Sequence, residues 1–371
     1  MHILIFIHSL SSGGAERVTA TLANHWAEQG WTVTMVTLAS STLDFYDIHP
    51  SVRRIALNQA DKSRNPIAAI VNNLQRSIAL RRILRTTKPD IALGFMTTAN
   101  VLLCLSAAGL RGIAVIGSER IYPPRWPLGR LWEQLRRWTY PSADRIVMLT
   151  NEGLHWLGRE IPKAYGVVIP NPVRYPLPIT APRLAPGAWV NSDRKLLLAV
   201  GRLNEQKRFD RLLQAFAKLA PENAAWDLVI LGEGELRSEL EQQARTLGLT
   251  TRAHLPGRAG NIGDWYARAD LYVMSSHFEG FPNALGEAMA HGCAAVSFDC
   301  DTGPRDIIRH EVDGLLAPAG DVARLATALG RLMRDDGLRL RMAGRAIEAR
   351  ERFSLEKIAE IWKTMFVEVK Q

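Results

Sequence analysis

Cysteine is scarce in this chain. Cys104, Cys293 and Cys300 are all that 371 residues contain, too few and too scattered for a disulfide framework or a thiolate metal site. They read as small buried hydrophobes in a reducing compartment. No secretory signal is expected either. Met1-His2 offers no Lys or Arg before the first apolar run, and that run, residues 3–7, is only a strand's length. Residues 91–110 carry no charge over about the length of a membrane span. Thr97, Thr98 and Asn100 near the middle, and Gly94 before them, argue instead for a buried strand over 91–95, a loop, and a buried helix over 101–108. No dinucleotide-binding G-x-G-x-x-G follows the first apolar run, and there is no P-loop. Short-period repeats and nucleic-acid-reading motifs are absent too, so nucleic acid is not an expected partner. Hydrophobic residues at 47% and charged residues at 22% exclude a disordered tail, a collagen-like chain and a coiled coil. A soluble cytoplasmic protein is expected.

What is present is alternation. Strand-like runs over 2–7, 32–38, 91–95, 114–118 and 145–149 are separated by helical patterns, beginning with 15–29. Residues 169–186 interrupt this with Pro170, Pro172, Pro176, Pro178, Pro182 and Pro186, which sustain neither a helix nor a central strand. The alternation then restarts, with strands over 195–200, 226–231, 271–275 and 294–298 and helices over 208–219, 235–247 and 284–291. Two more helices follow Gly320 and Leu355. The fold class is therefore α/β, two doubly wound domains facing across a cleft. The expected division is 1–175, a proline-rich linker over 176–193, a second domain over 194–352, and a terminal helix over 353–371 packing back on the first domain. In open α/β sheets, ligands bind beyond the carboxyl ends of the strands.

Three loops at such ends carry chemistry. The first reads Ser9-Leu10-Ser11-Ser12-Gly13-Gly14-Ala15-Glu16-Arg17. A double glycine at a helix start lets backbone amides approach an anion, although it serves equally as a tight turn. The second, Gly201-Arg202-Leu203-Asn204-Glu205-Gln206-Lys207, places two cations beyond a strand. Arg bridges two phosphate oxygens and Lys adds a point charge, so the pair suits a pyrophosphate; a solvated surface pair is the alternative. The third, from Ser276 through Glu279-Gly280-Phe281-Pro282-Asn283 to Glu287, is the strongest. Glu279 lies in the loop, Asn283 is a natural N-cap, and Glu287 falls one turn into the helix that follows. Such carboxylates accept paired hydroxyl hydrogen bonds, the geometry a ribose diol or a sugar offers.

Taken in this order and spacing, these motifs, with Pro170-Asn171-Pro172 and Gly232-Glu233-Gly234, resemble the retaining glycosyltransferases of family four, which have the GT-B fold. The resemblance covers nearly the whole chain. It implies a nucleotide-sugar donor held mainly by the second domain and an acceptor held mainly by the first. Arg202 and Lys207 would hold the donor diphosphate and act catalytically with Glu279. Glu287 would hold the ribose. Glu279 and the amides of Gly280, Phe281, Pro282 and Asn283 would hold the transferred sugar, Gly14 would approach the donor, and Gly257 and Arg258 would flank the base. No cofactor and no divalent metal is implied. Asp299-Cys300-Asp301 mimics a metal-binding D-x-D but follows a strand of the wrong architecture and reads as a structural loop. Where many relatives carry a His after Ser-Glu, this chain has Ser118-Glu119-Arg120, so that His role has no counterpart here. An epimerase on the same fold, or a non-catalytic nucleotide-sugar binder, are the alternatives.

Charge is uneven. Residues 1–190 hold 21 basic and 11 acidic groups, a net of +10; residues 191–371 hold 25 and 26, a net of −1. Arg81, Arg85 and Lys88 follow helical steps of four and three. Leu128, Leu131, Trp132, Leu135 and Trp138 form an apolar stripe with Trp126 upstream, and Arg130, Arg136 and Arg137 lie off it. Trp with Arg is a membrane-interface combination, although the stripe also suits a core-packed helix. The expectation is a protein peripheral on the inner face of the cytoplasmic membrane. Its acceptor would be a glycan on a polyprenyl diphosphate, and Gly13, Arg81, Arg85, Lys88, Arg120, Trp126 and Trp132 would serve the acceptor or the membrane.

Overall fold

The computed structural model describes residues 1–61 and 65–370. The chain forms two compact units: Met1–Pro172 with the segment from Leu355 onward, and Val173–Ser354.

The first unit is a seven-stranded, wholly parallel sheet. Its strands are β1 (His2–Ile7), β2 (Thr32–Thr37), β3 (Arg53–Ala56), β4 (Ile91–Phe95), β5 (Ala114–Ser118), β6 (Arg145–Met148) and β7 (Gly166–Val168), in the order β3-β2-β1-β4-β5-β6-β7. Its helices are α1 (Gly14–Glu28), α2 (Pro66–Thr87), α3 (Thr97–Ala107), α4 (Arg130–Thr139) and α5 (Asn151–Glu160). Central strands have helices on both faces, which is why β1 and β4 read as unbroken apolar runs rather than alternating ones. The C-terminal helix Leu355–Glu368 belongs to this unit: Trp362 and Phe366 pack edge-on to Trp26, with ring centroids 6.1 and 5.4 Å away.

The second unit repeats the plan with six parallel strands: β8 (Lys195–Val200), β9 (Trp226–Leu231), β10 (Ala253–Gly257), β11 (Leu271–Met274), β12 (Ala295–Asp299) and β13 (Gly314–Pro318), ordered β10-β9-β8-β11-β12-β13. Around them lie α6 (Phe209–Leu219), α7 (Arg237–Thr246), α8 (Ile262–Arg268) and α9 (Asn283–Ala290). In both sheets the strand order reverses beside the first strand, the arrangement that opens a ligand crevice at the carboxyl ends.

Several elements differ from the sequence reading. Helix α3 begins at Thr97, not near 101. Asn100, which reads as a turn signal, is fully buried: its Oδ1 accepts from Ser118 N–H at 3.1 Å and its amide donates to Tyr140 Oη at 3.2 Å. Gly94 does not break the segment but admits α3, since a Cβ there would stand 2.6 Å from Asn100 Oδ1. Strand β3, at a sheet edge, carries Arg53 and Arg54, as edges carry charge, and so lacks the apolar signature. The proline-rich stretch is tied down within the second unit: Thr180 N–H donates to Gly260 O at 3.0 Å, Leu184 N–H to Asn261 Oδ1 at 2.9 Å, and Trp265 Nε1–H to Leu184 O at 2.9 Å. Among the described residues, no helix is long and apolar enough to cross a membrane.

Candidate functional site

In the second unit the order reverses between β8 and β11, so the loops that follow these strands lie at the crevice. The β8 loop is held from beneath by the β9 loop. Gly201 N–H donates to Leu231 O at 2.9 Å, Leu203 N–H to Glu233 O at 3.0 Å, and Leu236 N–H to Leu203 O at 3.0 Å. This contact requires both glycines of Gly232-Glu233-Gly234. A Cβ on Gly232, whose φ is +148°, would stand 1.8 Å from Gly201 O, and one on Gly234 would stand 2.3 Å from Leu203 O. The motif that fails as a dinucleotide fingerprint is thus a backbone seat for the Arg202 loop. Glu233 itself pairs with Arg237 at 2.5 Å, which holds its carboxyl below the usual range.

Lys207 and Glu279 meet. Lys207 Nζ lies 2.6 Å from Glu279 Oε1 in a mostly buried ion pair. Both residues are pinned from behind: Ser275 Oγ donates to Lys207 O at 2.8 Å, Gln206 Nε2 donates to Phe278 O at 3.0 Å, and Thr302 Oγ1 donates to Glu279 O. Arg202 is exposed and, among the described residues, makes no side-chain hydrogen bond or ion pair. Glu287 is buried on α9, with Tyr266 Oη 3.4 Å from its Oε2. Tyr272 Oη and Ser276 Oγ, on β11 and just beyond it, are buried without a hydrogen-bond partner, and burial beside Glu279 and Glu287 pushes the Tyr272 phenol well up. Among the described residues, the loops at this strand reversal therefore combine a cation without a side-chain hydrogen bond or ion pair and a mostly buried ion pair, the inventory a polar, phosphorylated ligand would engage.

Other sequence candidates take less direct places. The Phe281 ring is buried against Phe353, with centroids 5.3 Å apart, and Gly280 and Pro282 are buried, with Gly303 close against both. Pro282, rather than Asn283, is the N-cap of α9, and Asn283 is the first helical residue. Gly257 ends β10 at φ +104° and accepts from Gly232 N–H at 2.9 Å; Arg258 beyond it is exposed. Asp299 pairs with Arg305 at 2.8 Å.

In the first unit, Gly13 caps α1 without a side-chain bond, and Gly14 begins the helix. The Glu16 carboxylate folds back over this N-terminus, 2.1 Å from where a Gly13 Cβ would be, as helix-start glutamates do. Glu119 is buried in a network: Thr97 Oγ1 donates to it at 2.8 and 2.9 Å, Tyr140 Oη also donates, and Arg136 stands 3.9 Å away. Burial raises its carboxyl, partly offset by Arg136. Arg136, expected off the apolar stripe, is buried with its guanidinium 4.7 Å from the Trp156 ring. Arg120 is buried too, donating to Asn171 Oδ1 at 2.9 Å. Arg81 turns inward and donates to the carbonyls of Ser106 and Ala108 at 2.8 and 2.7 Å, closing the end of α3, while Arg85 and Lys88 are exposed. Trp132 and Leu135 pack toward the core, whereas Trp126, Leu131 and Trp138 are exposed, Trp138 at 77%.

Sequence reasoning missed one surface. The outward side of α2 carries Ile67, Ile70, Val71, Leu74 and Ile78, all exposed, and Ile67 at 75%. Asn72, Asn73 and Arg76 lie on the inner side; Arg76 donates to Gln59 O at 2.8 Å, Asn73 Oδ1 at 3.0 Å and Asp61 O at 3.1 Å. The same helix buries Leu80 and Leu84 on its inner side, so its apolar residues lie on both sides and the exposed stripe does not stand out in the sequence.

Comparison with known proteins agrees with this architecture. Residues 12–175 match the family described as Glycosyltransferase Family 4, and residues 187–349 the one described as Glycosyl transferases group 1. An exopolysaccharide phosphotransferase of Streptomyces coelicolor is 33% identical over 79% of this chain, but the chain spans only 30% of that protein's length. A Campylobacter jejuni α-1,4-N-acetyl-D-galactosaminyltransferase, whose name specifies an undecaprenyl-diphosphate-linked acceptor, is 28% identical over 100% of this chain and 99% of its own. An Anabaena protein solved with UDP and glucose superposes with a TM-score of 0.79 at 17% identity, covering 99% of this chain and 100% of that one. With residues 12–175 and 187–349 both matched, and with two reversed-order parallel sheets like those of the superposed structure, this chain belongs to the family 4 and group 1 glycosyltransferases and has their GT-B fold.

Proposed function

We propose that this protein transfers a hexose or N-acetylhexosamine from a nucleotide sugar, UDP-linked in preference to GDP-linked, to a glycan carried on a polyprenyl diphosphate. The transfer retains anomeric configuration, needs no divalent metal and serves bacterial surface-glycan assembly. The observation that carries this reading is the Lys207–Glu279 pair beside unpartnered Arg202 at the reversal of the second sheet. As the bond between the anomeric carbon and the diphosphate breaks, negative charge grows on the departing oxygen. Arg202 and Lys207, already in place, stabilise it. Glu279 holds the Lys207 ammonium in position and accepts from the sugar, and Glu287 accepts from the ribose. The acceptor hydroxyl attacks from the face the diphosphate leaves, and its proton passes to a leaving phosphate oxygen. Relatives named for undecaprenyl-diphosphate-linked glycans support the acceptor class.

A melting screen of UDP- and GDP-sugars, followed by transfer assays on lipid-linked acceptors in excess EDTA, tests this. A donor at 100 times its dissociation constant should stabilise by about 2.7 kcal/mol, and transfer should survive the chelator. No stabilisation by any nucleotide sugar would end the reading. Activity lost with EDTA and restored by magnesium or manganese would end its metal-free part.

The same reading places the protein on the cytoplasmic face of a membrane, and α2 supplies the surface. Its outward side is apolar over the first three turns and then carries Arg82 and Arg85, with Lys88 at the C-cap. An aliphatic stripe continued by cations suits acyl chains beside anionic headgroups. Ile70→Glu with Leu74→Glu should weaken flotation on anionic vesicles at least tenfold and leave the melting temperature unchanged, because both side chains face outward. Rising salt should weaken wild-type binding, since headgroup attraction is screened over about 8 Å at physiological ionic strength. Unchanged flotation of the double variant would remove α2 from the membrane surface.

A further inference from the structure

Arg120 is a buried cation without a counter-ion among the described residues. It lies two residues beyond β5, at the carboxyl edge of the first sheet, and is 8% exposed. Its guanidinium carbon stands 4.5 Å from the Phe95 ring centroid and 5.8 Å from that of Trp362, and its Nη1 donates to Asn171. Nε and Nη2 are buried with no acceptor. Among the described residues no carboxylate pairs with it. The adjacent Glu119 accepts from Thr97 and Tyr140 instead. Burial, with no carboxylate to offset it, lowers the Arg120 pKa to about 9.

This arrangement is costly as it stands. The aromatic faces return part of the lost hydration, but they leave two N–H groups unmet. An uncompensated buried charge is among the most destabilising features a fold can hold, and an apolar side chain of equal length would serve packing better. An Arg side chain only donates. A ligand complementary to it offers acceptors only and carries negative charge, and the planar fork of Arg suits two oxygens of one group.

We propose that Arg120 binds a phosphate-type oxyanion: one phosphate of a diphosphate-bearing substrate. That the ligand is a diphosphate-bearing substrate, and whether it is the nucleotide-sugar donor or the lipid-diphosphate acceptor, rests on the proposed function; the oxyanion site at Arg120 does not.

Inorganic pyrophosphate titrated into the Arg202→Ala/Lys207→Ala variant, which lacks the cations of the second unit, should still raise the melting temperature. Adding Arg120→Met should abolish that rise. Arg120→Met alone should melt no lower than wild type, since it removes an unpaired buried charge. Should Arg120→Met fold poorly, Arg120→Lys keeps the charge without the fork and should weaken pyrophosphate binding at least tenfold. In transfer assays on the single variant, a KM raised tenfold or more for the nucleotide sugar assigns the donor's phosphate, and one raised for the lipid-linked acceptor assigns the acceptor's. Pyrophosphate stabilisation absent before Arg120 is changed, or unaltered by changing it, overturns the proposal. If wild type transfers no sugar at all, the proposed function fails while the pyrophosphate arm still decides this inference.

Discussion

Arg202→Ala should lower turnover at least tenfold and leave the melting temperature of the protein where it is. Lys207→Ala should lower both. The two cations occupy one loop, five residues apart in the sequence, but the protein uses them differently. Arg202 is exposed and, among the described residues, makes no side-chain hydrogen bond or ion pair, so its removal should cost the fold little. A charge-assisted contact that strengthens as the diphosphate leaves is worth more than about 1.4 kcal/mol, the tenfold in rate. Lys207 neutralises Glu279, whose side chain is only 8% exposed. Truncating Lys207 leaves that carboxylate largely dehydrated and unpaired, a loss of stability that adds to the loss of charge on the leaving group. Lys207→Ala/Glu279→Gln removes the stranded charge and should recover melting temperature without recovering turnover. Steady-state transfer rates and thermal melts on the three variants check this. Near-normal turnover in both single variants would remove the diphosphate from this loop.

The sequence shows how the two sheets are built but not what lies on their surfaces. Strands such as β1 and β8 are buried on both faces, so their apolar runs are continuous and unmistakable. The crevice was legible for the same reason. Its loops follow the strongest strands, and Arg202, Lys207, Glu279 and Glu287 are residue types that a strand-to-helix turn does not require. What stayed hidden depends on contacts between distant positions. Nothing near Arg120 in the chain tells that Phe95 and Trp362 enclose it, or that Glu119 is engaged by Tyr140. Arg81, in step with Arg85 and Lys88, is used up on the end of α3. The α2 stripe is the clearest case: the helix has apolar residues on both sides, and spacing does not tell which of them stay exposed.

Gly232→Ala should be among the most damaging single changes in the second unit. Its Cβ would stand 1.8 Å from Gly201 O and 2.9 Å from Gly201 C, against backbone that cannot swing aside as a long side chain can. The φ of +148° adds strain for any residue with a Cβ. Strain and overpacking together cost about 3 kcal/mol or more. That corresponds to a fall of roughly 6–12 °C for a unit of this size. The β8 and β9 loops must separate to relieve the clash, and Arg202 moves with its loop. Nucleotide-sugar affinity should therefore fall further than the melting temperature alone explains. Gly248→Ala is the control. Gly248 also has a positive φ, +69°, but a Cβ there meets nothing within 4 Å. It should cost only the left-handed penalty of about 1–2 kcal/mol and leave donor binding intact. Thermal melts with and without UDP-sugar on both variants separate backbone strain from collision. Equal melting shifts and equal donor affinity in the two would mean that the β8 loop is not seated on Gly232.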